Sequence, residues 1–184
     1  MGKAGAARRD WRLFIPFSGE GTALSFAYFA SFCSSPQVHP KFKRADDWSR
    51  RVIGAAIEVH REKGPGLLEP IYEKCLMREL SLLGIPARNQ WIVPIEYKGH
   101  FFEEPLRLDV YIDDCLIVEL KAVEKILPIH KAQLLSYLKL LDAPLGLLIN
   151  FHEVKLVDGL HRLILAGADG SSFGARPYEE ASPT

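Results

Sequence analysis

The sequence predicts an α/β fold in which a mixed central β-sheet is flanked by helices. Apolar residues recur at helical spacing in two stretches, which are separated by the break Gly64-Pro65-Gly66. Runs of strand length follow, some alternating and some continuously apolar, with one further helical pattern between them. Elements in this order pack as helices on a sheet around one hydrophobic core.

Three helices are predicted, over residues 46–63, 69–83 and 128–141. Asp46 or Asp47 would cap the first helix, since a side-chain oxygen there can accept a hydrogen bond from the first turn. Leu76, Leu80 and Leu83 form the expected buried stripe of the second helix.

Strands are predicted over residues 91–97, 106–112, 116–123, 145–151 and 160–165. The run Leu145 to Phe151 is apolar throughout, which is typical of a central strand that is buried on both faces. Trp91, Tyr97, Phe101 and Phe102 either stack nucleic-acid bases or pack in the core and the hairpin.

Charge divides the chain into three parts. Residues 1–45 carry seven basic and two acidic side chains, whereas residues 46–165 carry fifteen and eighteen. We expect 1–45 to be a disordered or unrelated N-terminal extension, 46–165 the folded domain, and 166–184 a disordered tail. The slightly acidic domain argues against a protein that coats DNA tightly, but not against an enzyme that holds its substrate through a metal ion.

The cysteines and the apolar segments bear on location. Cys33, Cys75 and Cys115 are odd in number and show no CxxC spacing, which argues against a disulfide framework and against a zinc site. A reducing, cytoplasmic setting is the simpler interpretation. The apolar stretch 23–30 is too short to span a bilayer, so no membrane association is expected.

The chemistry centres on Asp109 and the segment Glu119-Leu120-Lys121. Residues two apart in a strand point to the same face, so Glu119 and Lys121 are neighbours there. Burying a carboxylate and an ammonium in an apolar strand is costly unless they are paired or bound to a metal.

The length of the turn decides where Asp109 lies. If the turn is centred on Asp114, Asp109 is directly opposite Glu119 and on the same face. A two-residue turn at 113–114 would pair Asp109 with Val118 instead and separate the carboxylates. We predict the first register, or a bulge that restores it.

Two carboxylates and a lysine on one face suit metal-assisted phosphodiester hydrolysis. Carboxylate oxygens bind Mg²⁺ or Mn²⁺, and the bound metal polarises the phosphate and acidifies a water. The alternative is a structural ion pair between Glu119 and Lys121, with Asp109 facing solvent.

The segment 66–72 reads G-x-x-E-x-x-Y, and with its surroundings it resembles the GxxExxY family, a branch of the PD-(D/E)xK nuclease superfamily. The resemblance begins before this motif, at 57–62. It continues in order at 107–109, 117–124, 133–139 and 146–151. It implies a restriction-endonuclease-like core over 46–165, and the extension before Asp46 falls outside it.

The resemblance implies roles residue by residue. Asp109 and Glu119 match the metal-binding pair, Lys121 matches the catalytic lysine, and Glu69 matches an acidic residue from the first helices that adds a metal ligand or a water contact. Gln133 and Tyr137 match a Q-x-x-x-Y pattern. Leu108 stands where the superfamily's name has proline, at a variable position.

Each of these residues also has a structural interpretation. Glu69 could simply favour the helix dipole in the first turn, and Gln133 and Tyr137 could border a leucine-rich core helix. The predicted function is a nuclease (a hydrolase) acting on DNA, or on RNA. The alternative is a non-catalytic module that binds nucleic acid or protein. A homodimer stays open, because members of the superfamily often dimerise to grip a duplex.

Overall fold

The computed structural model of the chain describes residues 38–171, without the side chains of 103–105. The expected extension and tail therefore lie mostly outside the described residues. In the described part, no helix is long and apolar enough to cross a membrane.

The described chain contains three α-helices: α1 (Phe42–Lys63), α2 (Glu69–Leu82) and α3 (Pro128–Leu141). The predicted cap of α1 is wrong, because Lys41 occupies the N-cap position and Asp46 lies inside the helix. The Asp46 carboxylate instead accepts hydrogen bonds from Arg50 and Arg162. Ala45 is fully buried, so the apolar face of α1 extends to its first turn.

The predicted stripe of α2 is correct in two of its three positions. Leu76 and Leu80 are fully buried, but Leu83 is exposed. The helix ends at Leu82, and Leu83 occupies the C-cap position. Gly84 then turns the chain with a φ of +64°, a left-handed conformation that favours glycine.

Within the described residues, five strands form one sheet and lie in chain order across it. They are β1 (Ala87–Tyr97), β2 (His100–Ile112), β3 (Leu116–Lys121), β4 (Leu145–Asn150) and β5 (Leu160–Ile164). β3 and β4 are parallel and the other neighbours are antiparallel, which confirms the mixed sheet. Every residue of β4 is buried, as its continuous apolar run predicts.

Two hydrophobic clusters cover the two faces of the sheet. The first joins α1 and α2 to the sheet through buried side chains that include Val52, Leu76 and Val118. The second joins α3 to the opposite face through Leu134, Leu138 and their neighbours. The α/β architecture predicted from the sequence is therefore confirmed, with helices on both faces of the sheet.

The register between β2 and β3 is the one that the sequence favours. Val110 pairs with Val118, and Ile112 pairs with Leu116, across a turn of three residues. The same register continued by one step sets Asp109 opposite Glu119. The prediction of a turn centred on Asp114 is confirmed, and the two-residue alternative is wrong.

Helix α1 holds this turn from the side. Asp113 and Asp114 both have left-handed backbone angles, with φ of 47° and 52°. The indole N–H of Trp48 donates to the Asp113 carboxylate at 2.9 Å, and Arg44 Nε lies 3.0 Å from the same group. Aspartate is one of the residues that tolerate this conformation, and its side chain here is also tied to a helix.

Asn150 ties the end of β4 to the loop that follows β3. Its side-chain oxygen accepts a hydrogen bond from Val123 N–H at 3.1 Å, and its amide donates to Val123 O at 2.7 Å. Phe151 N–H donates to Lys121 O at 2.7 Å. Asn150 is fully buried, so these hydrogen bonds fix the chain directly after Lys121.

We predict that Asn150→Ala lowers the free energy of unfolding by about 1–3 kcal/mol, because it leaves both backbone groups of Val123 without their partner. Urea denaturation monitored by circular dichroism measures the loss. Lys155→Ala is the control, since Lys155 is exposed and should change stability by less than about 0.5 kcal/mol. Equal losses in the two variants would contradict the role given to Asn150.

Candidate active site

A tight turn delivers Glu69 to the start of α2. Gly66 has a φ of +100°, which residues other than glycine rarely adopt. The Tyr72 hydroxyl donates to Gly64 O at 2.6 Å and accepts from Leu67 N–H at 3.1 Å. Tyr72 is buried and its ring stacks on Phe151 with centroids 4.4 Å apart. The tyrosine of the motif therefore shapes the turn, and Glu69 is free to face the sheet.

Asp109 and Glu119 face each other across neighbouring strands. Leu120 N–H donates to Asp109 Oδ2 at 2.8 Å, and Asp109 N–H approaches Glu119 Oε1 at 3.4 Å. The Glu119 side chain is 3% exposed and that of Asp109 is 18% exposed. Each carboxylate is thus held by the backbone of the other's strand.

Lys121 lies among three carboxylates. Its Nζ is 3.6 Å from Glu69 Oε1, 3.6 Å from Glu119 Oε2 and 4.0 Å from Asp109 Oδ2. It also donates to Leu120 O at 2.6 Å. Four of the six residues singled out in the sequence therefore meet at one point, where the start of α2 reaches the end of β3.

The three carboxyl groups share an environment that disfavours negative charge. Burial, followed by the charge of Asp109, raises the pKa of Glu119 from 4.5 to about 8. Burial is also the main cause that raises the pKa of Asp109 and that of Glu69. Lys121 opposes the shift at all three groups, but one ammonium does not offset it.

Gln133 and Tyr137 form a hydrogen-bonded pair beside this cluster. Gln133 Nε2 donates to the Tyr137 hydroxyl at 2.7 Å, and that hydroxyl donates to Arg107 O at 3.3 Å. Burial raises the pKa of Tyr137, and the charges of Glu119 and Asp109 add to the shift. In the described structure neither side chain hydrogen-bonds to Lys121 or the carboxylates, so the pair borders the cluster without joining it.

Sequence reasoning missed a second group of polar residues near Asp109. The Glu73 carboxylate, one turn after Glu69, accepts hydrogen bonds from Asn89 at 2.9 Å and from Gln90 at 2.7 Å. Gln90 lies between the pairs Asn89–Val110 and Trp91–Leu108 of the β1–β2 register and has a φ of 49°. A left-handed glutamine within a strand leaves no pattern in the sequence; the four-residue spacing of Glu69 and Glu73 was the available signal.

The donor set can be compared with the needs of a metal ion. In the part of the chain that is described, no three Asp, Glu, His or Cys side chains lie close enough together to ligate one ion. The chemistry of the cluster nevertheless fits a hard divalent cation, because it offers carboxylate oxygens only. Three carboxyls, of which Glu119 is buried and Asp109 and Glu69 are partly buried, face one ammonium and leave negative charge that a cation would offset. The residues of the cluster therefore fit a divalent metal ion.

The raised pKa of Glu119 makes stability depend on pH. A carboxyl whose folded-state pKa lies above its unfolded value contributes stability fully at a pH below about 4.5, and this stability is lost as the pH rises through about 8. Without metal, we predict that the wild type loses on the order of 4 kcal/mol between pH 5 and pH 9 from this group. Glu119→Gln should lose much less.

Urea midpoints at pH 5, 7 and 9 in EDTA test this prediction. Glu62→Gln, on the exposed side of α1, is the control and should follow the wild type. Parallel pH profiles for the wild type and Glu119→Gln would show that Glu119 ionises normally in the folded protein.

Comparisons with known proteins agree with this geometry at the level of the superfamily. A protein-family model described as the PD-(D/E)XK nuclease superfamily matches residues 46–163. The chain has no significant match among the curated proteins or among the solved structures. The matched segment spans most of α1, the whole sheet apart from its last residue, and all four residues of the cluster. The chain belongs to the PD-(D/E)XK nuclease superfamily.

Proposed function

We propose that this protein is a metal-dependent nuclease that hydrolyses phosphodiester bonds of DNA, or of RNA. The observation that carries the proposal is the meeting of Asp109, Glu119 and Glu69 around Lys121, where the start of α2 reaches the end of β3. A structural ion pair between Glu119 and Lys121 would need one carboxylate. Three carboxylates, two of them from other elements, exceed what pairing one lysine requires.

Asp109 and Glu119 are the proposed metal ligands, and Glu69 is a third ligand or a contact to a metal-bound water. The ion is Mg²⁺, with Mn²⁺ as a substitute. A divalent cation bound there supplies polarisation of the phosphate and a lower pKa for an attacking water. The backbone hydrogen bonds to Asp109 and Glu119 keep both carboxylates aimed at one point.

Lys121 is the proposed catalytic residue beside the metal ligands. Its side chain is 14% exposed and its ammonium donates to Leu120 O, so the position of the charge is restricted before substrate binds. A fixed cation at this point orients a water or stabilises the negative charge that develops on the phosphoryl oxygens. Because the ammonium is already held in place, it stabilises this charge more than a mobile surface lysine would.

Gln133 is assigned to binding the substrate, and Tyr137 is assigned to holding β2 in place. The Tyr137 hydroxyl anchors β2 at Arg107, two residues before Asp109. Gln133 is exposed at the border of the cluster, where its amide can reach the sugar-phosphate backbone. The proposal further includes that the protein belongs to the GxxExxY branch and that it is cytoplasmic. It also includes a homodimer, since two copies can grip a duplex.

We predict that Lys121→Ala reduces metal-dependent cleavage by about 10²–10³-fold, because it removes a pre-organised charge from the reacting phosphate. Asp109→Ala should abolish detectable cleavage. The assay compares single- and double-stranded DNA and RNA with Mg²⁺ or Mn²⁺. Lys139→Ala, an exposed lysine near the end of α3, is the matched control. Cleavage that persists unchanged in Asp109→Ala would exclude this site.

Metal binding separates the nuclease from a non-catalytic module with the same fold. We predict that millimolar Mg²⁺ or Mn²⁺ raises the melting temperature of the wild type, since a ligand that binds only the folded state stabilises it by mass action. Asp109→Asn should lose this increase, and Asp47→Asn, an exposed aspartate of α1, should keep it. No stabilisation of the wild type, together with no cleavage, would favour the binding module.

A further inference from the structure

The hairpin of β1 and β2 extends beyond the rest of the sheet. The pairing of β2 with β3 ends at Val110 and Val118, three residues before Lys121, the last residue of β3. The β1–β2 pairing runs on past this level, through Val93 with Leu106 to Tyr97 with His100. We call residues 95–102 the hairpin tip. The tip therefore projects beyond the end of β3, on the side of the sheet at which the carboxylates and Lys121 meet.

The base of the projecting hairpin is packed, but the tip is not. Val93 is buried in the cluster that contains α3, and Leu106 packs against that cluster. Tyr97, Phe101 and Phe102 are 61%, 64% and 43% exposed. Burial in the core is therefore excluded for these three aromatics, whereas packing within the hairpin holds for Phe102, whose ring meets that of His100. An aromatic group left in water at the end of a projecting hairpin is the kind of surface that meets a partner.

The aromatic rings of the tip are accompanied by a cation. Lys98 Nζ lies 5.2 Å from the centroid of the Tyr97 ring, and the His100 and Phe102 rings meet edge to face at 5.1 Å. Glu96 is also on the tip and balances the charge of Lys98. The tip thus offers ring faces without a net attraction for phosphate.

Pairing with another β-strand is disfavoured along the outer edge of the hairpin. β1 is an edge strand of the sheet. Pro94 removes one backbone donor from it, and the register shifts between Val93 and Ile95. Proline and irregular pairing are the features that keep edge strands from adding a further strand. A second copy of this chain, joined through β1, is therefore a poor fit.

We propose that the hairpin tip stacks the bases of an unpaired nucleic-acid strand that leads to the catalytic cluster. The proposal rests on the proposed function only for the class of substrate. Phe102 is seven residues from Asp109, which is about 23 Å along a strand and about seven nucleotides at 3.4 Å each. Between them the sequence has Glu103 and Glu104 next to the tip and Arg107 nearer the cluster; Arg107 is exposed, so it can meet a phosphate on the way.

The binding test uses fluorescently labelled single-stranded DNA of fourteen nucleotides, in EDTA so that cleavage cannot occur. Phe101→Ala should weaken binding about tenfold, the effect of losing one stacked base. Leu82→Ala removes a side chain that is 61% exposed, at the end of α2, and should leave binding unchanged. A blunt duplex of the same length should respond less to Phe101→Ala, because its bases are stacked inside. Thermal melting of each variant excludes loss of folding.

A second variant reports stacking directly. Phe101→Trp places an indole at a ring that is 64% exposed, and contact with bases should quench its emission on addition of the single strand. The wild type, titrated in parallel, corrects for its native tryptophans. Binding should also weaken only slightly as salt rises, since the tip neutralises no net phosphate charge.

Equal binding by wild type and Phe101→Ala, with no quenching in Phe101→Trp, would overturn the proposal. So would a tip that drives self-association, seen as a dimer in sedimentation that Phe101→Ala dissociates while DNA binding is unchanged. Loss of binding in Phe101→Ala without any metal-dependent cleavage by the wild type would reject the nuclease and keep the tip. Cleavage and binding that both ignore Phe101 would reject the tip alone.

Discussion

The length of one turn decides where the charged groups of the site lie. β2 and β3 are joined by three residues, and this odd number places Asp109 opposite Glu119 on one face of the sheet. One residue more or less would send the two carboxylates to opposite faces, because a shift of one residue turns every side chain of the strand to the other face. The turn is correspondingly well held, with two left-handed aspartates and with Trp48 bonded to Asp113. A helix on the far side of the fold thus maintains the register on which the site depends.

The second constraint is electrostatic. Three carboxyls and one ammonium lie close together, and Glu119 is almost completely buried. Burial raises the pKa of each carboxyl, so the arrangement opposes folding at neutral pH unless more positive charge arrives. Apolar residues of similar size in place of these charged groups would make the folded protein more stable. The fold therefore gives up stability at the point where a cation and a phosphate are proposed to bind.

Much of this could be predicted from the sequence, and the failures have physical reasons. Strand period and turn length were enough to place Asp109 against Glu119, and α3 was predicted to its terminal residues. The start of α1 was misplaced because Asp46 resembles a cap but pairs with arginines instead. Gln90 was missed because its left-handed backbone is stabilised by Glu73, a contact made only after α2 packs on the sheet. The exposed tip was undetermined, since aromatic residues suit strands in either setting.

The structural role of Tyr72 limits what the G-x-x-E-x-x-Y motif indicates in another chain. Its hydroxyl and ring hold the turn through Gly64, Leu67 and Phe151, and it does not touch the charged cluster. The glycine and the tyrosine of the motif therefore maintain the backbone conformation of the turn, and only the glutamate is a candidate for the chemistry. A chain that has lost its carboxylates could keep the glycine and the tyrosine under selection for folding alone. The signature is evidence of a scaffold, and the acidic residues have to be inspected one by one before activity is inferred.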